Sequence, residues 1–163
     1  MLIRPRPAAA VFLTACALAL PWPAHAERET GANGRPVDRS GAAEVGIASF
    51  YGRQFFGRTM ADGEPMDPQG DNAASRTLPL GTTARVTHLE TGQSTVVIIQ
   101  DRGPYVKGRI VDLSPASAQA IGLTREQGLT RVEVAPIEVP LPDGGVRLGA
   151  GAVPTRTMGG PAR

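Results

Sequence analysis

The stretch TTARVTHLETGQSTVVIIQD, residues 82–101, carries the strongest structural signal in the chain. Ala84, Val86 and His88 recur at every second position, with Arg85 and Thr87 between them. That period of two is a strand with one face turned to a core. ETGQ (90–93) supplies a turn, and the β-branched run TVVII (95–99) follows as a second strand, so the two form a hairpin. Working outward, VGIASFY (45–51) alternates and stops at Gly52, GRIV (108–111) is a short strand, and TRVEVA (130–135) alternates again. One short helix stands out. Ser114 caps it, Pro115 occupies its first turn, residues 116–121 favour helix, and Gly122 ends it. TREQ (124–127) has the pattern of a capping box and can add one more turn. About six short strands and one or two small helices make the fold mainly β. A small closed barrel fits best, because closure removes the sheet edges that such a domain would otherwise expose.

The flanks read differently. Residues 1–26 open with Arg4 and Arg6, continue as an uncharged apolar run from Ala8 to Leu20, and end in Ala24, His25 and Ala26. This is the pattern of a secretory signal cleaved after Ala26. The run is short of the roughly 20 apolar residues that span a bilayer. The sequence LTAC (13–16) also resembles a bacterial lipobox, in which Cys16 would be acylated and hold the protein at the outer membrane. The residues after Cys16 remain apolar instead of forming a polar tether, which favours cleavage after Ala26 and a periplasmic protein. Residues 27–43 are polar and Gly-rich and are expected to be a flexible linker. The folded domain is then 44–136. Residues 137–163, rich in Gly, Pro and small side chains, are expected to be a disordered tail.

Composition narrows the chemistry. Apolar residues make up 41% of the 163 and charged residues 20%, enough for one globular core. The chain has 17 Lys+Arg against 15 Asp+Glu, but two of the basic residues are Arg4 and Arg6. Without the leader the charges balance, so no net basic face is expected for nucleic acid. Cys16 is the only cysteine and His88 the only histidine after the leader. This inventory excludes a disulfide framework, a thiol nucleophile, a Ser-His-Asp triad and a His/Cys zinc site, and no cofactor motif is present.

Three acids stand out by context. Asp101 ends the β-branched run, where partial burial of a carboxyl is expected to favour its protonated form, and RGP (102–104) then turns the chain. Asp112 precedes the helix cap and is expected to be structural, bonded to nearby backbone or paired with Arg102 or Arg109. Glu64 lies in a Gly/Pro loop, MADGEPM (60–66), that can approach a cleft. Each also has a bland reading, as a turn acceptor or a solvated acid. Together they suit glycosidic chemistry, which needs a carboxylic acid for the leaving oxygen and stabilisation of an oxocarbenium-like transition state. A transglycosylase whose nucleophile is a hydroxyl of the substrate can use one residue as acid and then as base.

The pieces GIASFYG (46–52), FFGR (55–58), ADGE (61–64), TLP (77–79), RVTHLETG (85–92), DRGPY (101–105) and GRIVDLS (108–114) resemble, in order and spacing, the rare lipoprotein A family of bacterial cell-envelope proteins. The resemblance implies a six-stranded double-psi β-barrel. It also implies an endolytic lytic transglycosylase, a lyase that cleaves MurNAc–GlcNAc links of peptidoglycan to 1,6-anhydro ends in cell-wall remodelling and septation. Carried over by position, the catalytic acids fall on Asp101, as general acid/base, and Glu64, which would stabilise developing charge or orient the sugar. Ser75, Arg102, Tyr105 and Tyr51 are expected to meet the substrate. The family's usual His, however, is Ser75 here, and a second common His is Phe56. A serine cannot move a proton near neutral pH. Two further readings therefore stay open: a non-catalytic, expansin-like peptidoglycan-binding module, and a protein-interaction barrel of the envelope. The expected partners are glycan strands and septal ring proteins, with no nucleic acid, and with membrane contact only through a lipid on Cys16. The expected state is a monomer. If the enzyme reading holds, Asp101, Glu64 and Ser75 should line one open groove.

Overall fold

The computed structural model describes Gly34 and residues 36–152. The expected leader, with Cys16 and Ala26, lies outside the described residues, as do residues 153–163. The strands are β1 (Glu44–Phe50), β2 (Asn72–Ser75), β3 (Thr83–His88), β4 (Ser94–Asp101), β5 (Arg109–Leu113), β6 (Thr130–Pro140) and β7 (Val146–Leu148), with one helix, α1 (Pro115–Ala120). Single 3-10 turns cover Arg53–Phe55 and Ala150–Ala152. The hairpin expected over 82–101 is β3 and β4, and its turn carries Gly92 at φ +73°.

Strands pair in the order β1-β5-β2-β4-β3-β6, and β6 pairs back onto β1, which closes a six-stranded barrel. The β1–β5 and β2–β4 pairings are parallel and the rest antiparallel. This is the double-psi β-barrel. Its core explains the alternation read in the sequence. Ala84, Val86 and His88 of β3 are buried, as are Val97 and Ile99 of β4 and Val132 and Val134 of β6. Small residues at Ala48, Ala73 and Ala84 leave room for Ile99, Leu113 and Ile121 in the same cluster. His88 is a pin, not a reactive group. Its Nδ1 accepts the Thr91 N–H at 3.2 Å, and its Nε2 meets the Thr130 hydroxyl at 2.7 Å.

The helix has the expected cap. Ser114 Oγ accepts the Ser117 N–H at 3.0 Å and donates to the Gly70 carbonyl at 2.5 Å, while Gly122 turns left-handed at φ +76°. Thr124 and Gln127 exchange the two capping-box bonds, at 3.0 and 3.3 Å, but they close a turn and not a second helix.

Two segments differ from expectation. Strand β2 (NAAS) shows no alternation because all four of its residues are buried. The barrel covers Ala73, and a second cluster of Tyr51, Met60, Met66 and Phe56 covers Ala74. The sheet also continues past the expected boundary at Pro136. Thr83 pairs with Glu138, and β7 pairs with the end of β6. Residues 36–43, read as part of a flexible linker, lie against this extension: Gly41 O accepts from Ala150 N at 2.9 Å, and Arg39 O from the Arg147 guanidinium at 2.7 Å. Glycine explains the order of the extension and of residues 36–43. A Cβ at Gly149 or Gly151 would collide with the Pro136 or Ala135 carbonyl, and one at Gly41 would come within 2.9 Å of Gly149 Cα. The composition that suggests flexibility here serves close backbone approach.

Candidate active site

Asp101 is the last residue of β4 and is partly exposed. Its register partner on β2 is Ala74, and Ala74 is also opposite Asp112 of β5, which in turn is opposite Ser49 of β1. Four neighbouring strands therefore set Ser49, Asp112, Ala74 and Asp101 in one row across the barrel wall. Small Ala74 sits between the two acids.

Both oxygens of Asp101 are held. Oδ1 accepts the Arg102 N–H at 2.8 Å and the Ala61 N–H at 3.0 Å. Oδ2 accepts the Tyr51 hydroxyl at 2.9 Å. Tyr51 is only 8% exposed, packed with Met60, Met66 and Ala74. Burial first, and the neighbouring Asp101 carboxylate second, push its phenol above the ordinary tyrosine range. Tyr51 is thus a hydroxyl donor under all working conditions. It was expected to contact substrate; the structure places its hydroxyl on the catalytic candidate.

Glu64 reaches this place through a tight hairpin over residues 57–66. Gly57 and Met66 pair across it, Met60 N donates to Glu64 O at 2.8 Å, and Thr59 bridges Pro65. The hairpin tip docks on the end of β4. Ala61 N–H binds Asp101, Asp62 N–H binds Gln100 O at 3.0 Å, and the Gln100 amide binds Asp62 Oδ2 at 2.8 Å. Glu64 is exposed, three residues along the chain from the amide anchored to Asp101. The two acids chosen from sequence are therefore carried by elements bonded to one another, and Asp101 opens to solvent.

Ser75 is not part of that surface. It is 4% exposed, and its hydroxyl accepts the N–H groups of Thr77 and Leu78 at 3.4 and 3.2 Å. With Leu78, Val111 and Val134 it borders a small crevice beside Asp38 and Glu44. Strand alternation explains this: Ala74 faces the Tyr51 cluster, so Ser75 faces the other way. Arg102 is also committed to structure, its guanidinium donating to Leu78 O at 2.7 Å and Ser75 O at 3.4 Å. Tyr105 is the opposite case, 63% exposed with its ring beside Gly103. Gly103, at φ +144°, lies between that ring and Ala74, where only glycine sits without strain. Phe55, 41% exposed, meets Tyr51 edge-on at 5.8 Å between ring centroids. Two exposed aromatic rings thus lie beside the acid's neighbours, Phe55 on Tyr51 and Tyr105 on Gly103.

Asp112 is bonded to side chains and not to nearby backbone. It accepts from the Ser49 hydroxyl and the Arg109 guanidinium. Its charge also contributes to the upward push on Tyr51. Sequence reasoning missed Ala74 and the Ala61 amide. Neither has a side-chain signature, since one matters for being small and the other acts through its backbone. A cavity of about 430 Å³ lies elsewhere, between Phe50, Gln69, α1 and Arg125, and none of the acids lines it. The hydrogen-bonded cluster, and not that hollow, holds the candidate acids.

A family model described as lytic transglycolase matches residues 43–134, more than half the chain and the whole ring of strands up to β6's midpoint. The chain belongs to the lytic transglycolase family. Relatives named endolytic peptidoglycan transglycosylase RlpA include one from Pseudomonas aeruginosa (strain UCBPP-PA14), 46% identical over 94 residues, 58% of this chain and 27% of that protein. Another, from Pasteurella multocida (strain Pm70), is 47% identical over 98 residues, 60% of this chain and 33% of that protein. This lytic transglycolase chain spans a quarter to a third of those two proteins' length. Among solved structures, an expansin of Clavibacter michiganensis is 21% identical, with a TM-score of 0.46 over 61% of this chain and 52% of that one, a likeness too distant to bear on function.

Proposed function

We propose that this chain is an exported endolytic lytic transglycosylase that cleaves MurNAc–GlcNAc links in peptidoglycan glycan strands. The observation that carries the reading is Asp101, oriented at both oxygens and open to solvent beside the hairpin that holds Glu64. Asp101 gives its proton to the glycosidic oxygen as the C1–O bond breaks. The MurNAc O6 hydroxyl then bonds to C1, and its proton returns to Asp101, so the product carries a 1,6-anhydro ring and no water is consumed. Glu64 faces the developing positive charge, and Phe55 and Tyr105 offer rings for sugar stacking. The names of the relatives support the substrate; the periplasmic site of action, the monomeric state and work alongside septal ring proteins are part of the same proposal.

Ser75 favours a second reading, a wall-binding module without turnover, because a serine with its hydroxyl already bonded stands where the resembled family has histidine. The two separate in one experiment. Peptidoglycan with and without stem peptides is digested and the products are read by mass spectrometry. Anhydro-muropeptides that disappear with Asp101→Asn support the enzyme; binding to sacculi without products at any protein concentration supports the module.

A further inference from the structure

We infer that Asp101 exchanges its proton through Oδ2, and that Tyr51 is the positioning residue that makes this oxygen the reacting one. The inference rests on the catalytic reading of Asp101. A carboxylate offers about four lone-pair sites, two on each oxygen. Both sites of Oδ1 are taken, by the Arg102 and Ala61 amides. Those donors are backbone groups of the chain's own turn and of the docked hairpin, so they stay in place during a reaction. Oδ2 accepts one bond among the described residues, from the Tyr51 hydroxyl, which leaves its second lone pair for a substrate. A proton passed to a glycosidic oxygen, and later received from a sugar hydroxyl, has only that site to use.

Tyr51 suits the task because, among the described residues, its hydroxyl bonds to Asp101 alone. Its ring is fixed by Met60, Met66 and Ala74 and by the edge-on contact with Phe55. Its phenol stays protonated, since burial and the Asp101 and Asp112 charges all oppose a phenolate there. The groups acting on this pair are Asp112 from β5 and Tyr105 from the turn after β4, which bear on Tyr51, and the backbone amides of Ala61 from the hairpin and Arg102 from the turn, which bind Asp101. As the carboxyl gains and loses its proton, Tyr51 holds Oδ2 in plane, so that lone pair keeps pointing to the same place.

The test is Tyr51→Phe in the full chain, which keeps the ring and its packing and deletes only the hydroxyl. Turnover of peptidoglycan to anhydro products is read across substrate concentration, with the melting temperature of the variant as the control for folding. The expected result is a fall in kcat of about ten- to a hundredfold with little change in KM and an unchanged melting temperature. Unchanged kcat overturns the inference, and so does a rise in KM with kcat kept, which would mean that the hydroxyl serves binding and not the placing of Oδ2. Asp101→Asn separates the levels: if it keeps turnover, the catalytic reading fails, and if it abolishes turnover while Tyr51→Phe keeps it, only the role of Tyr51 fails.

Discussion

At Asp101 a single side chain gathers three donors from three parts of the chain, and its neighbours divide sharply by role. Asp101→Asn keeps the shape and loses the exchangeable proton, so anhydro products should fall below detection while the melting temperature stays within a few degrees. Ser75 is the contrasting case. Its hydroxyl accepts two turn N–H groups, and Ser75→Ala should cost about 1 kcal/mol of stability, read by urea unfolding, with no direct loss at the acid. Tyr51 links this scale to pH. Its folded-state phenol lies above the unfolded one, so the stability it contributes is complete below about pH 10 and declines as pH rises past that point. Tyr51→Phe should flatten that alkaline decline in a series of melting curves. Asp101 stood out in the sequence as a candidate by its place at the end of an apolar run. Its partners were not, because hydrogen bonds over forty and fifty residues of sequence leave no local trace.

Among the elements, the β3–β4 hairpin and the cap of α1 could be read almost residue by residue, because each depends on neighbours in sequence. Ser114→Ala removes both the Ser117 cap and the bond to Gly70, and should destabilise the domain by about 1–2 kcal/mol in chemical denaturation. Strand β2 escaped notice for the opposite reason. With both faces covered it has no polar side, and periodicity cannot report an element without one. The hairpin carrying Glu64 is held by backbone bonds to Gln100 and Asp101, so its position depends on where β4 ends, not on its own composition.

For the whole molecule, the strand order β1-β5-β2-β4 brings residues 51, 74, 101 and 112 to one patch, the docked hairpin adds residue 61, and pairing of β6 onto β1 closes the ring. The extension beyond Pro136 belongs to this level. Val139 is buried, and β7 together with residues 36–43 packs along the end of β6. A chain ending at Pro136 should therefore be less stable than the full chain, visible as a lower melting temperature.

Strand alternation, turn glycines and a capped helix were enough to name a small closed β-barrel, since those signals arise between residues adjacent in the chain; context marked Asp101, Asp112 and Glu64 alike, and the family resemblance chose Asp101 and Glu64 among them. Which atoms meet was set by how the strands interleave. Parallel pairing of β2 with β4 and antiparallel pairing of β2 with β5 put Ala74 between two acids, turned Ser75 away from them and delivered Tyr51 to Asp101. Register across non-adjacent strands is a property of the closed sheet, and one residue of slip would reverse every one of these placements.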